Sequence, residues 1–233
     1  MKIAILGYGK MGKTIERLAQ EKGHEIVFKK DAQIKKGALE EADVAIEFST
    51  PESAFENIEN CMDMEIPVVS GTTGWLDRWD EMINICEKRN GSFIYASNFS
   101  IGVNLFFNLN EYAAKLMEPW KEYDVSLKEI HHTEKKDAPS GTAISLAEGI
   151  IKHSDKANWE LDAKSKDTLK ISAERIADVK GIHEVEYSSE IDNITIKHEA
   201  HSREGFAKGA ILAAEWLIGK KGVFTMKDVL DLK

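Results

Sequence analysis

From Lys2 to Ala96 the chain alternates short apolar runs with longer segments of helical spacing. Lys2–Leu6 is an apolar run closing on Gly7, the pattern of a buried strand. Met11–Glu21 carries Met11, Ile15, Leu18 and Ala19 on one helical face, and Gly23 follows where a helix end favours glycine. Glu25–Lys29, Ala42–Phe48, Pro67–Ser70 and Ser92–Ala96 read as further strands, and Ser53–Cys61 and Trp75–Arg89 as amphipathic helices. Strands alternating with helices, without tight hairpins, predict a parallel sheet covered on both faces and doubly wound by right-handed crossovers.

Beyond Asn98 the texture changes. Asn104–Met117 and Thr142–Lys152 have helical spacing. Tyr123–His131 alternates imperfectly, with Val125, Leu127 and Glu129 opposite Ser126, Lys128 and Ile130. His183–Ser188 and Asp192–Ala200 alternate cleanly, with Ile194, Ile196 and His198 on one face, and the short Ser189-Glu190 link suits antiparallel neighbours. Residues 154–168 are polar and patternless, so a long surface loop is expected there. Phe206–Gly219 is again a strong amphipathic helix, and Met226–Leu230 a short one. The expected fold is α/β in two domains. A doubly wound parallel sheet spans 1–98, with 206–233 packing back onto it. An α+β domain with a mostly antiparallel sheet spans 99–205.

Composition narrows the function. The chain has 233 residues, 42% hydrophobic and 30% charged, the balance of a globular protein. No apolar run approaches the roughly 20 residues of a membrane helix, and the N-terminal run reads as a strand, not a signal peptide. A cytoplasmic protein without a membrane partner is expected. Cys61 and Cys86 have no zinc or redox spacing and fall in helical segments, so both are expected to be buried free thiols. The net charge of −9 argues against nucleic acid, which needs clustered positive charge.

Gly7-Tyr8-Gly9-Lys10-Met11-Gly12 follows a strand and opens a helix. In that setting glycines let the backbone approach a pyrophosphate, and the helix N-terminus offers it free amides. A turn without a ligand is the alternative. Asp31, about 20 residues further on and just past the second strand, suits the ribose hydroxyls. Tyr8, Lys10 and Met11 complete a Rossmann-like dinucleotide loop. A carboxylate at the ribose disfavours a 2′-phosphate, so NADH is favoured over NADPH, although Lys29 and Lys30 are placed to offset it. Gly71-Thr72-Thr73-Gly74 and Ala96-Ser97-Asn98-Phe99 follow the next strands, where parallel sheets bind ligands. Gly71, Thr72, Thr73, Ala96, Ser97, Asn98 and Phe99 are expected to line the nicotinamide, Phe99 shielding one face of its ring. Simple turns are the alternative for both loops.

Glu129–Thr142 reads EIHHTEKKDAPSGT. Adjacent histidines at a strand end point to opposite sides, so one of His131 and His132 should face a cavity and the other a support. No cysteine is near, and His183, His198 and His201 are distant in sequence, so no metal is expected. His198 reads as a satisfied sheet residue. Ser140 suits a helix cap, with Gly141 and Thr142 exposing amides that bind carboxylate as readily as phosphate. An ordinary capped helix is the alternative. Lys135 adds a cation suited to a carboxylate and to proton donation. Arg203 is placed to contact substrate or close the domain interface.

The stretch resembles the signature E-x-H-H-x-x-K-x-D-A-P-S-G-T of the dihydrodipicolinate reductase family, enzymes that reduce 4-hydroxy-tetrahydrodipicolinate on the diaminopimelate route to lysine. Glu129–Thr142 matches it throughout. The family's N-terminal glycine loop, GTTG turn and (A/S)NFSxGV loop have counterparts at Gly7–Gly12, Gly71–Gly74 and Ser97–Val103. The resemblance implies that His131 and Lys135 are the catalytic pair, with Lys135 the proton donor. It implies that His132 contacts a small dicarboxylate substrate and that the Ser140-Gly141-Thr142 turn binds its carboxylate. It also implies NADH or NADPH as cofactor and a homotetramer. The chain is short between Lys152 and Ser188 compared with many members, which leaves tetramer or dimer open. Another nicotinamide reductase on an amino-acid-like substrate explains the glycine loop but not Glu129–Thr142. A non-catalytic dinucleotide sensor needs neither His131 nor Lys135.

Overall fold

The structure, a computed structural model, describes residues 1–202 and 204–232, so Arg203 lies outside the described residues. In chain order the elements are β1 (Lys2–Leu6), α1 (Lys10–Glu21), β2 (Glu25–Lys30), β3 (Lys35–Gly37), β4 (Val44–Glu47), α2 (Pro51–Asp63), β5 (Val68–Ser70), α3 (Trp79–Lys88) and β6 (Ser92–Tyr95). Next come α4 (Ile101–Met117), β7 (Asp124–His131), α5 (Gly141–Ile151), β8 (Asn158–Leu161), β9 (Thr168–Arg175), β10 (Ile182–Ser188) and β11 (Asn193–Glu199). The chain closes with α6 (Glu204–Leu217), β12 (Gly222–Phe224) and α7 (Met226–Val229). Among the described residues no helix is long and apolar enough to cross a membrane.

Two compact units result, Met1–Ile101 with Glu204–Lys233, and Gly102–Arg203. The first holds a seven-stranded sheet ordered β12-β6-β5-β4-β1-β2-β3. All its pairings are parallel except that of β2 with β3. Its inner strands are apolar on both faces because both are covered. Ile3, Ile5, Val44 and Ile46 pack with Ile15 and Leu18 of α1 and Ile211 and Leu217 of α6. Ala4, Leu6, Ala45 and Val68 pack with Phe55 and Ile58 of α2 and Met82 of α3. Each fully buried Ile or Leu contributes about 1.5–3 kcal/mol. Helix α6 approaches the sheet closely because it is lined by small residues. A Cβ on Gly209 would meet the Phe99 carbonyl oxygen at 1.7 Å. Cys61 and Cys86 are free and buried, as read from the sequence, and burial pushes the Cys61 thiol up to about 12.

The second unit holds a five-stranded sheet ordered β11-β10-β7-β9-β8. Strand β10 runs antiparallel to β7 and β11, whereas β9 runs parallel to β7 and β8, so the sheet is mixed. Strand β8 lies within the stretch expected as a loop, and β9 begins at its end. The chain leaves β7, crosses through α5 to β8 at the edge and then fills the gap beside β7 with β9, all three strands running in the same direction, which such a crossover favours. Strands β3, β8 and β12 escape a periodicity reading because they are three or four residues long at sheet edges, the first two largely exposed and β12 half-buried. Helices α4 and α5 cover one face of this sheet with Phe106, Ala114, Ala143, Leu146 and Ile150.

Along β7 the buried face runs Val125, Leu127, Glu129, His131. A carboxylate and an imidazole thus occupy strand positions that elsewhere hold core aliphatics.

Candidate active site

In the first unit the three glycines of the N-terminal loop do different work. Gly7 has φ +98°, and a Cβ there would stand 2.0 Å from the Phe48 carbonyl oxygen. A Cβ on Gly12 would meet the Gly7 carbonyl oxygen at 2.2 Å, so this glycine lets α1 pack on β1. Gly9, the N-cap of α1, has nothing within 4 Å of an added Cβ and makes no side-chain cap. The loop therefore presents open backbone at a free helix N-terminus, which fits a dinucleotide pyrophosphate. Met11 is half-buried against the core, and Lys10 is exposed.

The residues expected at the ribose are more engaged than their sequence suggests. Asp31 Oδ1 accepts from the amides of Gln33 and Ile34, both at 2.7 Å, and so shapes the turn between β2 and β3. Lys29 Nζ donates to Glu16 Oε1 at 2.7 Å and sits 4.7 Å from the Tyr8 ring centroid, while Tyr8 donates its hydroxyl to Glu16. Lys30 Nζ donates to Asn57 Oδ1 at 2.8 Å.

The two loops beyond β5 and β6 divide into exposed and interior residues. Thr73 and Ser97 are exposed and Gly71 and Ala96 half-buried. Thr72 is buried and donates its hydroxyl to Glu47 Oε1 at 2.9 Å. Asn98 is buried too, its Oδ1 accepting from the Ser100 amide at 2.9 Å. Phe99 differs from its expected role. Its ring is 1% exposed, in edge contact with Phe48 at 5.7 Å, so it belongs to the core and presents no face to a nicotinamide. A residue the sequence reading missed organises these loops. Glu47 is fully buried and accepts from Ser70 Oγ (2.6 Å), Ser49 N (2.9 Å) and the Ser49 hydroxyl as well as Thr72. A Cβ on Gly71 would overlap the Phe48 ring at 2.2 Å, which fixes the start of the GTTG turn.

In the second unit the signature segment wraps around Glu129. Its Oε2 accepts from the Ser140 amide at 3.0 Å, and its Oε1 from Arg175 Nη2 at 3.1 Å. His131 Nδ1 lies 3.6 Å and His183 Nε2 3.8 Å from Oε2. Burial opposes ionisation of Glu129, yet the Ser140 hydrogen bonds, His131 and Arg175 outweigh it and hold the carboxyl below its ordinary range. His131 is buried, and that burial lowers its imidazole against the opposing pull of Glu129. His132 follows the strand and is half-buried. Ser140 caps α5 as expected, its Oγ accepting from the Ala143 amide at 3.1 Å and lying 3.2 Å from His183 Nε2. Gly141 begins the helix with open space around it, and Thr142 follows in the first turn. Lys135 Nζ is held by both Asp137 oxygens at 2.9 and 2.8 Å. Arg175 ties the segment down, Nη2 donating to the Asp137 carbonyl at 2.6 Å and Nε to that of Lys135 at 3.4 Å.

Arg175 and His183 are the residues here that sequence reasoning left without a role. Arg175 ends a strand that was not read, and His183 was set aside as distant. Their only signal is register, since Arg175 pairs with His131 and His183 with Glu129 on either side of β7. Glu129, His131 and His183 offer ligand atoms within 4.8 Å of one another. The guanidinium on the same carboxylate supplies the positive charge a metal ion would bring, and like charge makes the trio a poor cation host. His198 is not satisfied as expected. Its Nδ1 has no hydrogen-bond partner, and its ring packs 5.9 Å from Phe106. A cavity of about 450 Å³ near Trp120, Tyr123, Lys156 and Tyr187 includes none of the signature residues in its lining.

A doubly wound sheet with an open glycine loop, and a second unit that brings together histidines, a lysine and a capped helix start, is the build of a nicotinamide-dependent oxidoreductase of small molecules. The family described as "Dihydrodipicolinate reductase, N-terminus" matches residues 1–99, and "Dihydrodipicolinate reductase, C-terminus" matches 102–230. The chain belongs to the dihydrodipicolinate reductase family. It is 52% identical to a 4-hydroxy-tetrahydrodipicolinate reductase of Christiangramia forsetii, over 99% of this chain and 98% of that one. It is 34% identical to the protein of the same name from Archaeoglobus fulgidus, over 99% and 100% of the two chains. A solved dipicolinate-bound dihydrodipicolinate reductase from a Paenisporosarcina species shares the fold, with a TM-score of 0.80, 23% identity and 97% of each chain covered. An amine dehydrogenase from Mycobacterium smegmatis has a TM-score of 0.61 at 11% identity over 97% and 95% of the chains, a likeness of fold alone.

Proposed function

We propose that the chain reduces 4-hydroxy-tetrahydrodipicolinate to tetrahydrodipicolinate, with His131 and Lys135 as its catalytic pair. The observation that carries the reading is the gathering of His131 and the Ser140 turn around one buried carboxylate, with the Lys135 loop anchored by the same Arg175, within a signature matched throughout. Gly7, Gly9 and Gly12 form the cradle for NADH or NADPH. When bound, the dihydronicotinamide supplies the hydride. The substrate loses its hydroxyl together with a hydrogen from the neighbouring ring carbon as water, and one hydride and one proton then add to the conjugated ring. Lys135 stabilises the negative charge that builds on the conjugated ring and delivers the proton to carbon. The amides of Gly141 and Thr142, with Ser140 and His132, bind a substrate carboxylate at the positive end of α5. Asp31 favours NADH, and the engagement of Lys29 with Glu16 and of Lys30 with Asn57 supports that preference. A homotetramer is part of this reading. It is supported by an exposed apolar stripe on α4, formed by Leu105, Leu109, Tyr112 and Leu116.

The test is dihydronicotinamide oxidation with substrate made in situ from pyruvate and aspartate semialdehyde by the upstream synthase. Substrate-dependent oxidation, faster with NADH than NADPH, is expected. Folded protein that binds NADH yet oxidises it with no such substrate would overturn the assignment.

A further inference from the structure

Glu129 has no exposed surface, and its neighbours come from β7, the signature loop, β9 and β10. Burying a carboxylate is unfavourable unless it is paired and hydrogen-bonded, and the chain surrounds this one with donors. Both oxygens are held, Oε1 by Arg175 and Oε2 by the Ser140 amide. Oε2 also faces His183 Nε2 at 3.8 Å, which lies nearer the Ser140 hydroxyl at 3.2 Å, and His131 Nδ1 at 3.6 Å, a buried ring nitrogen with no hydrogen-bond partner of its own. The opposite nitrogen, Nε2, looks toward Gly181, where a Cβ would come within 3.4 Å of it. Glycine leaves that side of the ring open.

We propose that Glu129 is a positioning residue for the reduction: its carboxylate is the fixed counter-ion of the His131 imidazolium, keeping the proton on Nδ1 so that Nε2 exchanges the working one, and the same carboxylate ties the Ser140 turn to that ring. The proposal rests on the reading of His131 as catalytic. Its logic is that one anion sets both the charge of the acid–base group and the place of the substrate-binding turn. Arg175 keeps the carboxylate ionised and in place, and it also anchors the Lys135–Asp137 loop through two carbonyls. The charged and titratable groups facing His131 are Glu129 on its own strand, Lys135 and Asp137 in the loop, Arg175 on β9 and His183 on β10, the last with ring centroids 5.0 Å apart. Glu129 and Asp137 favour the imidazolium, whereas Lys135 and Arg175 oppose it.

The experiment uses Glu129→Gln, which keeps the shape and removes the charge. The His131 ring titration, followed by NMR in the full-length protein, should move to lower pH by about one unit or more. The His131-dependent limb of the kcat–pH profile should move with it. Turnover at the optimum should fall at least about 10-fold and substrate KM should rise, with NADH affinity unchanged. The second measurement uses the wild type, where nitrogen NMR of the neutral His131 ring should show its proton on Nδ1. If Glu129→Gln folds and leaves the titration and the limb in place, the inference is overturned. If it does not fold, a neutral wild-type ring carrying its proton on Nε2 overturns it. His131→Gln separates the two readings. Full turnover in that variant sinks the catalytic assignment itself. Lost turnover there, beside an unmoved limb in Glu129→Gln, sinks only the positioning role.

Discussion

Acidification from about pH 7 to about pH 5 should weaken the second unit, with His183 contributing about 2 kcal/mol of the loss. His183 is 4% exposed on β10, against the Ser140 cap of α5 and beside His131. Burial, and then the neighbouring His131, push its imidazole down to about 3. In the unfolded chain the same ring titrates at its ordinary value of about 6.5. Between those two values the unfolded state binds a proton that the native state refuses. The native state is therefore undiminished above the unfolded value and loses stability as pH falls toward the folded one. The slope is about 1.4 kcal/mol per pH unit, and about 1.5 units of that window are crossed by pH 5. Glu129, whose carboxyl is held below its ordinary value, is present in both proteins compared, so its share of the loss is common to them.

Urea unfolding of the wild type and of His183→Gln at both pH values isolates this share. A difference of about 2 kcal/mol corresponds to a midpoint shift on the order of 1 M urea. Glutamine does not titrate, so the variant should lose correspondingly less on acidification, whatever its stability at neutral pH. Equal losses in the two proteins would refute the reasoning, because they would mean His183 takes up its proton in the native state as readily as in the unfolded one.

The glycine loop divides in a testable way. Gly7→Ala should cost about 3 kcal/mol, from a positive φ and collision with the Phe48 carbonyl, read as a fall in Tm. Gly9→Ala should change stability by less than about 1 kcal/mol yet weaken NADH binding at least about 10-fold by fluorescence titration. Equal effects of the two on stability would count against the cradle. Lys135→Ala should lower kcat about 10²- to 10⁴-fold with NADH affinity nearly intact, and parallel loss of both would mark the lysine as structural. Leu109→Glu, on the exposed stripe of α4, should convert the proposed oligomer to smaller species in light scattering, whereas a monomeric wild type would remove the stripe's proposed role.

What was legible in the sequence follows from which faces are buried. β1 and β4 announced themselves because covering both sides of a parallel sheet demands unbroken apolar runs. The cap at Ser140 was legible because capping chemistry is local, a hydroxyl reaching the amide three residues on. β9 was not, since only Leu169 and Ile171 alternate before Ser172-Ala173, and two apolar residues do not establish a period of two. Phe99 was misplaced for another reason. A loop after a parallel strand generally lines the ligand, but here the ring turns inward against Phe48, and only packing decides between those directions.

The harder omission concerns the two buried carboxylates, and it has one cause. Glu47 and Glu129 each sit in a strand at a position whose preceding neighbour on the same face is aliphatic, so periodicity reads them as interruptions of a core. An uncompensated buried carboxylate costs several kcal/mol, so each requires donors, and the strand cannot supply enough of them. Glu47 draws on Ser70 and Thr72, 23 and 25 residues downstream. Glu129 draws on Ser140 and Arg175, 11 and 46 residues downstream. The signature ends at Thr142, so it contains the carboxylate, the histidines and the cap but not the guanidinium that keeps the carboxylate charged. A motif can thus mark where the chemistry happens while the group that tunes it arrives on the neighbouring strand, specified by register and invisible to spacing.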